Sequence, residues 1–168
     1  MIKLVLFDLD GVLIDAKKIH YDALNEALGE QYAISEKEHT NLYDGRKTFE
    51  KLNLLTEQKG LPTKEHKRIW EDKQKNTLDM LSDLKIDSNL LYTISRLSDE
   101  GYKIVCCSNS IRKTVLTVLA KLGLIEYMDL ILSNEDVDNS KPHPEMYWKA
   151  ISKMRHLPEE TLIIEDSP

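Results

Sequence analysis

The sequence predicts an α/β protein with a parallel sheet flanked by helices, together with an inserted helical segment. Short apolar runs of strand length alternate with helical patterns in residues 1–15 and 87–168. Such alternation is typical of a parallel sheet with helices on both faces. Residues 16–86 instead carry apolar side chains at helical spacing, with no alternation long enough for a strand. We therefore predict an α/β core of residues 1–15 and 87–168 and a helical domain of residues 16–86.

The core strands are predicted from short apolar runs. The first run leaves no room for the polar face of an exposed helix, so it indicates a buried strand. The predicted strands cover residues 2–7, 103–107, 130–132 and 161–164. The predicted helices of the core cover residues 89–99, about 111–122, and a segment opened by Pro142 and Pro144 that runs to about residue 154.

The helical segment begins after Asp15. Its first helix is indicated by apolar residues three and four positions apart in residues 19–28, and Gly29 supplies an end signal. The same style continues to about residue 85, and about 70 residues suffice for a small domain of its own. Helix-breaking residues within it are Gly45, Gly60 and Pro62.

The first strand ends in two carboxylates, Asp8 and Asp10, followed by Gly11. Open α/β sheets bind their ligands at the carboxyl ends of the strands. Each carboxylate raises the pKa of the other unless a cation lies between them, and an all-oxygen ligand set favours Mg²⁺. This stretch alone is also compatible with an ordinary polar turn, so the other strands decide between a site and a turn.

The other predicted strands deliver polar side chains to the same edge of the sheet. Ser108 and Asn109 follow the second strand, and Lys141 lies in the loop after the third. Glu165 and Asp166 follow the fourth strand. Taken singly, the serine could cap the helix that follows it, the lysine could be solvated, and the two acids could serve solubility. The set of acids, hydroxyl and cation at one edge favours a functional site.

Four motifs in chain order, DLDGVLID, CSNS, SKPHPEMY and IIEDS, resemble those of the haloacid dehalogenase superfamily. The likeness covers the whole predicted core. The helical segment after the first motif is similar to the cap of the branch that contains β-phosphoglucomutase and phosphonatase. The resemblance implies a Rossmann-like core with an inserted α-helical cap domain, and a phosphohydrolase that works through an aspartyl-phosphate intermediate.

Roles for individual residues follow from this resemblance. Asp8 would be the nucleophile that attacks phosphorus. Asp10 would be the general acid and base, which protonates the leaving oxygen and later activates water. Ser108 would hydrogen-bond a phosphoryl oxygen, and Asn109 could add a main-chain or side-chain donor. Lys141 would pair with the phosphoryl group as a point charge while orienting the nucleophile.

The same resemblance implies a bound Mg²⁺. Its ligands would be the carboxylate of Asp8, the main-chain carbonyl of Asp10, and the carboxylates of Glu165 and Asp166. Between the nucleophile and the phosphate, the ion would remove their mutual repulsion and stabilise the charge that develops in the reaction.

The helical domain offers two candidate substrate-binding residues. His20 lies where relatives place residues that face the substrate, and Arg46, just after Gly45, could meet a second anionic group of the substrate. Both also have an ordinary interpretation, because an exposed histidine often has no ligand and charged residues at the start of a helix are often simply solvated.

Composition restricts the partners of the protein. The net charge of −6 argues against sequence-independent binding to nucleic acid, because phosphate backbones require clustered Lys and Arg. No apolar run approaches membrane-spanning length, and acids interrupt any signal-peptide pattern at the N-terminus. The adjacent Cys106 and Cys107 are interpreted as small buried hydrophobic residues. We expect a cytoplasmic protein, a monomer or a weak homodimer, that acts on a small phosphorylated metabolite.

Three functions remain open at this stage. A Mg²⁺-dependent phosphatase is favoured, whereas a phosphosugar mutase of the β-phosphoglucomutase type would use the same chemistry. A catalytically inactive relative would serve as a binding module. The third arises because the sequence ends two residues after Asp166, where relatives continue with a glycine-bearing turn, a helix and a further strand. We expect a fragment, although a truncated, inactive natural protein would show the same ending.

Overall fold

The computed structural model describes residues 1–43 and 46–166. Gly45, a predicted break in the helical segment, and Ser167, the last residue of the fourth motif, lie outside the described residues. The chain divides into two compact units, one formed by Met1–Asp15 with Leu84–Pro168 and the other by Ala16–Asp83. The second boundary therefore lies three residues before the predicted one.

The α/β unit is built on a parallel sheet. Its strands are β1 (Leu4–Phe7), β2 (Lys103–Cys107), β3 (Leu130–Leu132) and β4 (Thr161–Ile164). Within the described residues they pair in the order β3-β2-β1-β4, all in parallel. The predicted strands are confirmed, except that β1 begins two residues later. Because the strands run in the same direction, all their carboxyl ends meet at one edge of the sheet.

The helices agree with the predicted pattern in both units. In chain order they are α1 (Lys17–Leu28), α2 (Glu36–Glu38), α3 (Thr48–Lys59), α4 (His66–Met80), α5 (Ser88–Asp99), α6 (Arg112–Lys121) and α7 (Glu145–Met154). A π-helical turn at His39–Tyr43 follows α2, and short 3₁₀ turns lie at Glu30–Tyr32, Thr63–Glu65, Leu81–Asp83, Ile125–Tyr127, Asn134–Asp136 and Pro158–Glu160. None of the described helices is long and apolar enough to cross a membrane.

One part of the core of the α/β unit lies between the sheet and α7. Leu6 of β1 and Cys107 of β2 pack with Met146 and Ala150 of that helix, and all four are buried. Cys106 and Cys107 are both free and fully buried, which confirms their interpretation as small hydrophobic residues. This packing fixes β1 and β2 side by side in the middle of the sheet, and so fixes the residues that follow them.

The helical unit has a core of its own. Leu52 and Leu55 of α3 and Ile69 of α4 are buried in it together with Tyr43. The Tyr43 hydroxyl donates to Oε1 of Gln58 at 3.1 Å, so the polar end of this buried ring is satisfied. The amphipathic spacing seen in the sequence is therefore the spacing of a real core.

Candidate active site

The site is centred on Asp8, which directly follows β1. Its main-chain N–H donates to the carbonyl of Ile164 at 2.9 Å, which continues the pairing of β1 with β4. Its side chain is only 7% exposed, and Oδ1 accepts a hydrogen bond from Nζ of Lys141 at 2.5 Å. The Lys141 side chain is 8% exposed. A carboxylate and an ammonium thus form a buried ion pair at the edge of the sheet.

The same ammonium group contacts a second carboxylate. Lys141 Nζ lies 3.0 Å from Oε2 and 3.3 Å from Oε1 of Glu165, the residue after β4. The Tyr147 hydroxyl donates to Oε2 of Glu165 at 3.0 Å, and its ring centroid lies 5.9 Å from Nζ. Sequence reasoning missed Tyr147, although its place in the third motif put it one helical turn beyond Pro144.

Burial and charge act in opposite directions on the pair. Burial raises the pKa of Asp8 from 3.8 to about 6, although the charge of Lys141 and its hydrogen bond lower it. Burial lowers the pKa of Lys141, but Asp8 and Glu165 outweigh burial and raise the pKa of the ammonium above its usual value. The lysine is therefore held in its charged form, whereas the aspartate is more easily protonated than an exposed one.

Asp10 and the turn after β2 form the next part of the site. Oδ2 of Asp10 accepts a hydrogen bond from the hydroxyl of Ser110 at 3.1 Å. The fully buried Ser108 uses its Oγ to accept the N–H of Ser110 at 3.0 Å. Ile111, not Ser108, is the N-cap residue of α6, so the interpretation of Ser108 as a helix cap is wrong. Ser110 was within the second motif but was not among the predicted site residues.

Asn109 holds the main chain of Lys141. Its Nδ2 donates to the Lys141 carbonyl at 2.9 Å, and its Oδ1 accepts the Lys141 N–H at 3.0 Å. The two residues are 32 positions apart in the sequence. The side chain of Asn109 is thus engaged with protein groups, and its predicted contact with a phosphoryl group stays a prediction.

Three carboxylates could together hold a metal ion. Asp8, Glu165 and Asp166 each offer an oxygen, and these oxygens lie within 4.8 Å of one another. This donor set fits a hard divalent cation such as Mg²⁺. Gly11 has a φ of +99°, and a Cβ at this position would collide with the carboxylate of Asp166. The glycine is therefore required both for the backbone conformation and for the close approach of a candidate ligand.

The two candidate residues of the helical unit have contacts of their own. Nδ1 of His20 lies 3.3 Å from Nζ of Lys73, and Nε of Arg46 donates to the carbonyl of Leu42 at 2.9 Å. Lys73 is buried, whereas Arg46 is exposed. Substrate binding by His20 and Arg46 stays a prediction.

The sequence and the fold are both similar to known proteins. A family model of haloacid dehalogenase-like hydrolases matches residues 5–168. The chain belongs to this family. The predicted family is confirmed, and so is the predicted fold class, because the parallel sheet with flanking helices has close structural counterparts among solved members.

Three known proteins are similar to this chain in sequence or in structure. Pyrophosphatase PpaX from Bacillus pumilus is 28% identical over 167 residues, which cover 99% of this chain and 75% of the relative. A phosphorylated carbohydrates phosphatase from Thermotoga maritima is 27% identical over 171 residues, which cover 97% of this chain and 76% of the relative. The crystal structure of β-phosphoglucomutase from Clostridium difficile superposes with a TM-score of 0.85 and 27% identity, covering 99% of this chain and 77% of that one.

The pKa of Asp8 gives a testable pH dependence in the metal-free protein. Between pH 3.8 and about pH 6, the Asp8 carboxyl holds a proton in the native state that it releases in the unfolded chain. Protonation of this group therefore stabilises the native state fully below 3.8, and the stabilisation is lost as the pH rises through about 6. We expect a carbon-13 titration of the Asp8 carboxyl, measured with a chelator present, to show a midpoint near 6.

The Asp8→Asn variant provides the control for this titration, because it removes the assigned signal. The same variant should gain thermal stability relative to the unsubstituted protein as the pH rises through this window, since it has no proton to lose there. A midpoint at or below the usual value of 3.8 would contradict the burial of the Asp8 charge.

Proposed function

We propose that the protein is a Mg²⁺-dependent phosphatase that acts on a small phosphorylated metabolite through an aspartyl-phosphate on Asp8. The observation that carries the proposal is the buried Asp8 carboxylate, held at 2.5 Å by Lys141 beside two further carboxylates. A nucleophile needs a fixed position and a compensating charge, and this arrangement supplies both. The names of the relatives, which include a pyrophosphatase and a phosphatase of phosphorylated carbohydrates, support the same reaction class.

The first chemical step is phosphoryl transfer to Asp8. An oxygen of its carboxylate attacks phosphorus while the bond from phosphorus to the ester oxygen breaks. Asp10 in its protonated form gives its proton to the departing oxygen. Ser110 donates its hydroxyl to Oδ2 of Asp10 at 3.1 Å, which restricts the orientation of the acid. Lys141 and the hydroxyl of Ser108 stabilise the charge on the phosphoryl oxygens.

The second step releases phosphate. Asp10, now a carboxylate, takes a proton from a water molecule that attacks phosphorus. The bond between phosphorus and the Asp8 oxygen breaks, and orthophosphate and the free carboxylate are formed. Glu165, whose carboxylate is unchanged by both steps, also holds the Lys141 ammonium beside Asp8. The chain thus returns to its starting state without any further reactant.

Asp8, Glu165 and Asp166 are the residues that would hold Mg²⁺, with the Asp10 carbonyl as the further ligand implied by the family resemblance. When bound, the ion would offset the repulsion between these carboxylates and the anionic substrate and stabilise the transition state. The separation of the three carboxylate oxygens, within 4.8 Å, supports this assignment. His20 and Arg46 are proposed to contact the part of the substrate that does not react.

A phosphosugar mutase is the second candidate. It would use the same aspartyl-phosphate but return the phosphoryl group to a sugar instead of water. The likeness to the β-phosphoglucomutase structure supports it, at a TM-score of 0.85. Conversion of glucose 1-phosphate to glucose 6-phosphate without net release of phosphate would favour the mutase over the phosphatase.

Phosphate release from a panel of substrates tests the phosphatase. The panel contains phosphorylated sugars, nucleotides, pyrophosphate and an aryl phosphate. We expect release with Mg²⁺ and none with a chelator, and a loss of about a thousandfold or more in Asp8→Asn with the fold intact. Asp99→Asn, the same substitution at an exposed position of α5, serves as the control and should keep full activity. Retained turnover in Asp8→Asn would overturn the proposal.

Gly11→Ala should separate the geometry of the metal ligands from overall stability. The new methyl group would displace the Asp166 carboxylate, so we expect Mg²⁺-dependent turnover to fall about 10–100-fold, as is typical when a supporting contact of a metal ligand is lost. Gly101→Ala is the matched control, because Gly101 also has a positive φ, +86°, and no described atom lies within 4 Å of its Cβ position.

Both glycine variants should lose about 1–2 kcal/mol of stability from the left-handed backbone. Only Gly11→Ala should lose turnover per folded molecule. Thermal unfolding gives the folded fraction of each variant, and steady-state kinetics gives its turnover. Equal turnover in the two variants would contradict a role for Asp166 beside Gly11.

A further inference from the structure

We propose that Asn109 is a positioning residue. Its side chain orients Lys141 through hydrogen bonds to the Lys141 main chain and does not bind the substrate. This inference rests on the proposed function, because it assigns Asn109 a part in the same reaction. It differs from the role implied by the family resemblance, in which Asn109 was a candidate donor to the phosphoryl group. The geometry of the two residues points to it.

The contact between Asn109 and Lys141 uses both ends of the amide. The donor Nδ2 lies 2.9 Å from the Lys141 carbonyl oxygen, and the acceptor Oδ1 lies 3.0 Å from the Lys141 nitrogen. A planar amide that donates and accepts at the same residue imitates the pairing of one strand residue with another. The contact is partly buried, so water competes for it less than it would at the surface.

The two hydrogen bonds lie on either side of the Cα atom of Lys141. Fixing both the N–H and the carbonyl of one residue fixes the direction in which its Cβ leaves the main chain. Direction matters here because a lysine side chain has four rotatable carbon–carbon bonds and about 2 kcal/mol of rotamer entropy to lose. With its starting point held, the ammonium reaches Oδ1 of Asp8 at 2.5 Å and Oε2 of Glu165 at 3.0 Å.

The position of Asn109 in the fold makes it suited to this task. It is the second residue after β2 and lies between the buried Ser108 and the half-buried Ser110, which are themselves hydrogen-bonded. Lys141 lies in the loop between the 3₁₀ turn Asn134–Asp136 and α7. Asn109 thus ties the loop that carries Lys141 to the end of a central strand, so the position of the lysine main chain is fixed by the sheet.

A kinetic test distinguishes positioning from direct substrate binding. If Asn109 acts through Lys141, Asn109→Ala should lower kcat about 10–100-fold with a smaller change in KM, because the reacting groups are displaced. In a Lys141→Met background, adding Asn109→Ala should change kcat less than about twofold, since the group it positions is gone. Losses that multiply in the double variant, or a rise in KM with kcat unchanged, would overturn the proposal.

Asn139→Ala is the matched control. Asn139 lies in the same loop as Lys141, and its Nδ2 donates to Oε2 of Glu145 at an exposed position, 2.9 Å away. The substitution therefore removes one asparagine side-chain hydrogen bond from the loop without touching the Lys141 main chain. We expect kcat and KM unchanged within about twofold. A loss equal to that of Asn109→Ala would mean that any disturbance of the loop suffices, and would overturn the assignment.

A second measurement tests the inference without any activity. Nuclear magnetic resonance detects scalar couplings across hydrogen bonds, here from the Lys141 nitrogen to Asn109 Cγ and from Asn109 Nδ2 to the Lys141 carbonyl carbon. We expect both couplings in the protein alone and in the presence of Mg²⁺ and orthophosphate. Their absence, or the loss of the Nδ2 coupling when orthophosphate is added, would overturn the proposal. Absence of phosphate release from every substrate would instead count against the proposed function.

Discussion

The buried contact of Lys141 with Asp8 is the interaction on which the site depends. Removing a carboxylate and an ammonium from water costs several kcal/mol for each ion, and their attraction compensates only when the geometry is good and other hydrogen bonds are satisfied. The distance of 2.5 Å between Nζ and Oδ1 meets the first condition. Glu165, with Tyr147 donating to it, meets the second. The pair therefore requires the segments that carry Asp8, Lys141 and Glu165 to be correctly placed at the same time.

The order of the strands explains how these three segments come together. β1 lies between β2 and β4, so Asp8 emerges between the residues that follow its two neighbours. β2 leads to Asn109, which holds the main chain of Lys141, and β4 leads to Glu165, which holds its ammonium. A parallel sheet brings these ends together without any further device. The chemistry of the site is in this sense a consequence of strand order.

The sequence predicted the side chains that stand directly at strand ends. Asp8, Ser108 and Glu165 follow apolar runs that are easily recognised, and parallel pairing then requires them to lie at one edge. Lys141 was named from its place in the loop after β3, and its role was predicted only from the family resemblance. The helices were predicted from the amphipathic spacing of their apolar residues.

The contacts that hold these residues in place could not be predicted in the same way. Asn109 and Lys141 are separated by 32 residues, and their pairing depends on the path of a loop that has no periodic pattern. The hydrogen bonds of Ser110 to Asp10 and of Tyr147 to Glu165 depend on rotamers and on the packing of α7. Whether such hydrogen bonds form depends on shifts of a few tenths of an ångström in the positions of the side chains. The spacing of residues in the sequence does not encode shifts of this size.

The proposed function requires that Asp8, held by Lys141, receives the phosphoryl group. Acid quenching of a single turnover with the best substrate, followed by mass spectrometry of the peptides, tests it most directly. We expect one phosphoryl group on the peptide that carries Asp8, formed and lost within the turnover, and none in Asp8→Asn. Phosphate release that proceeds with no phosphorylated peptide, or with the phosphoryl group on a different residue, would contradict it.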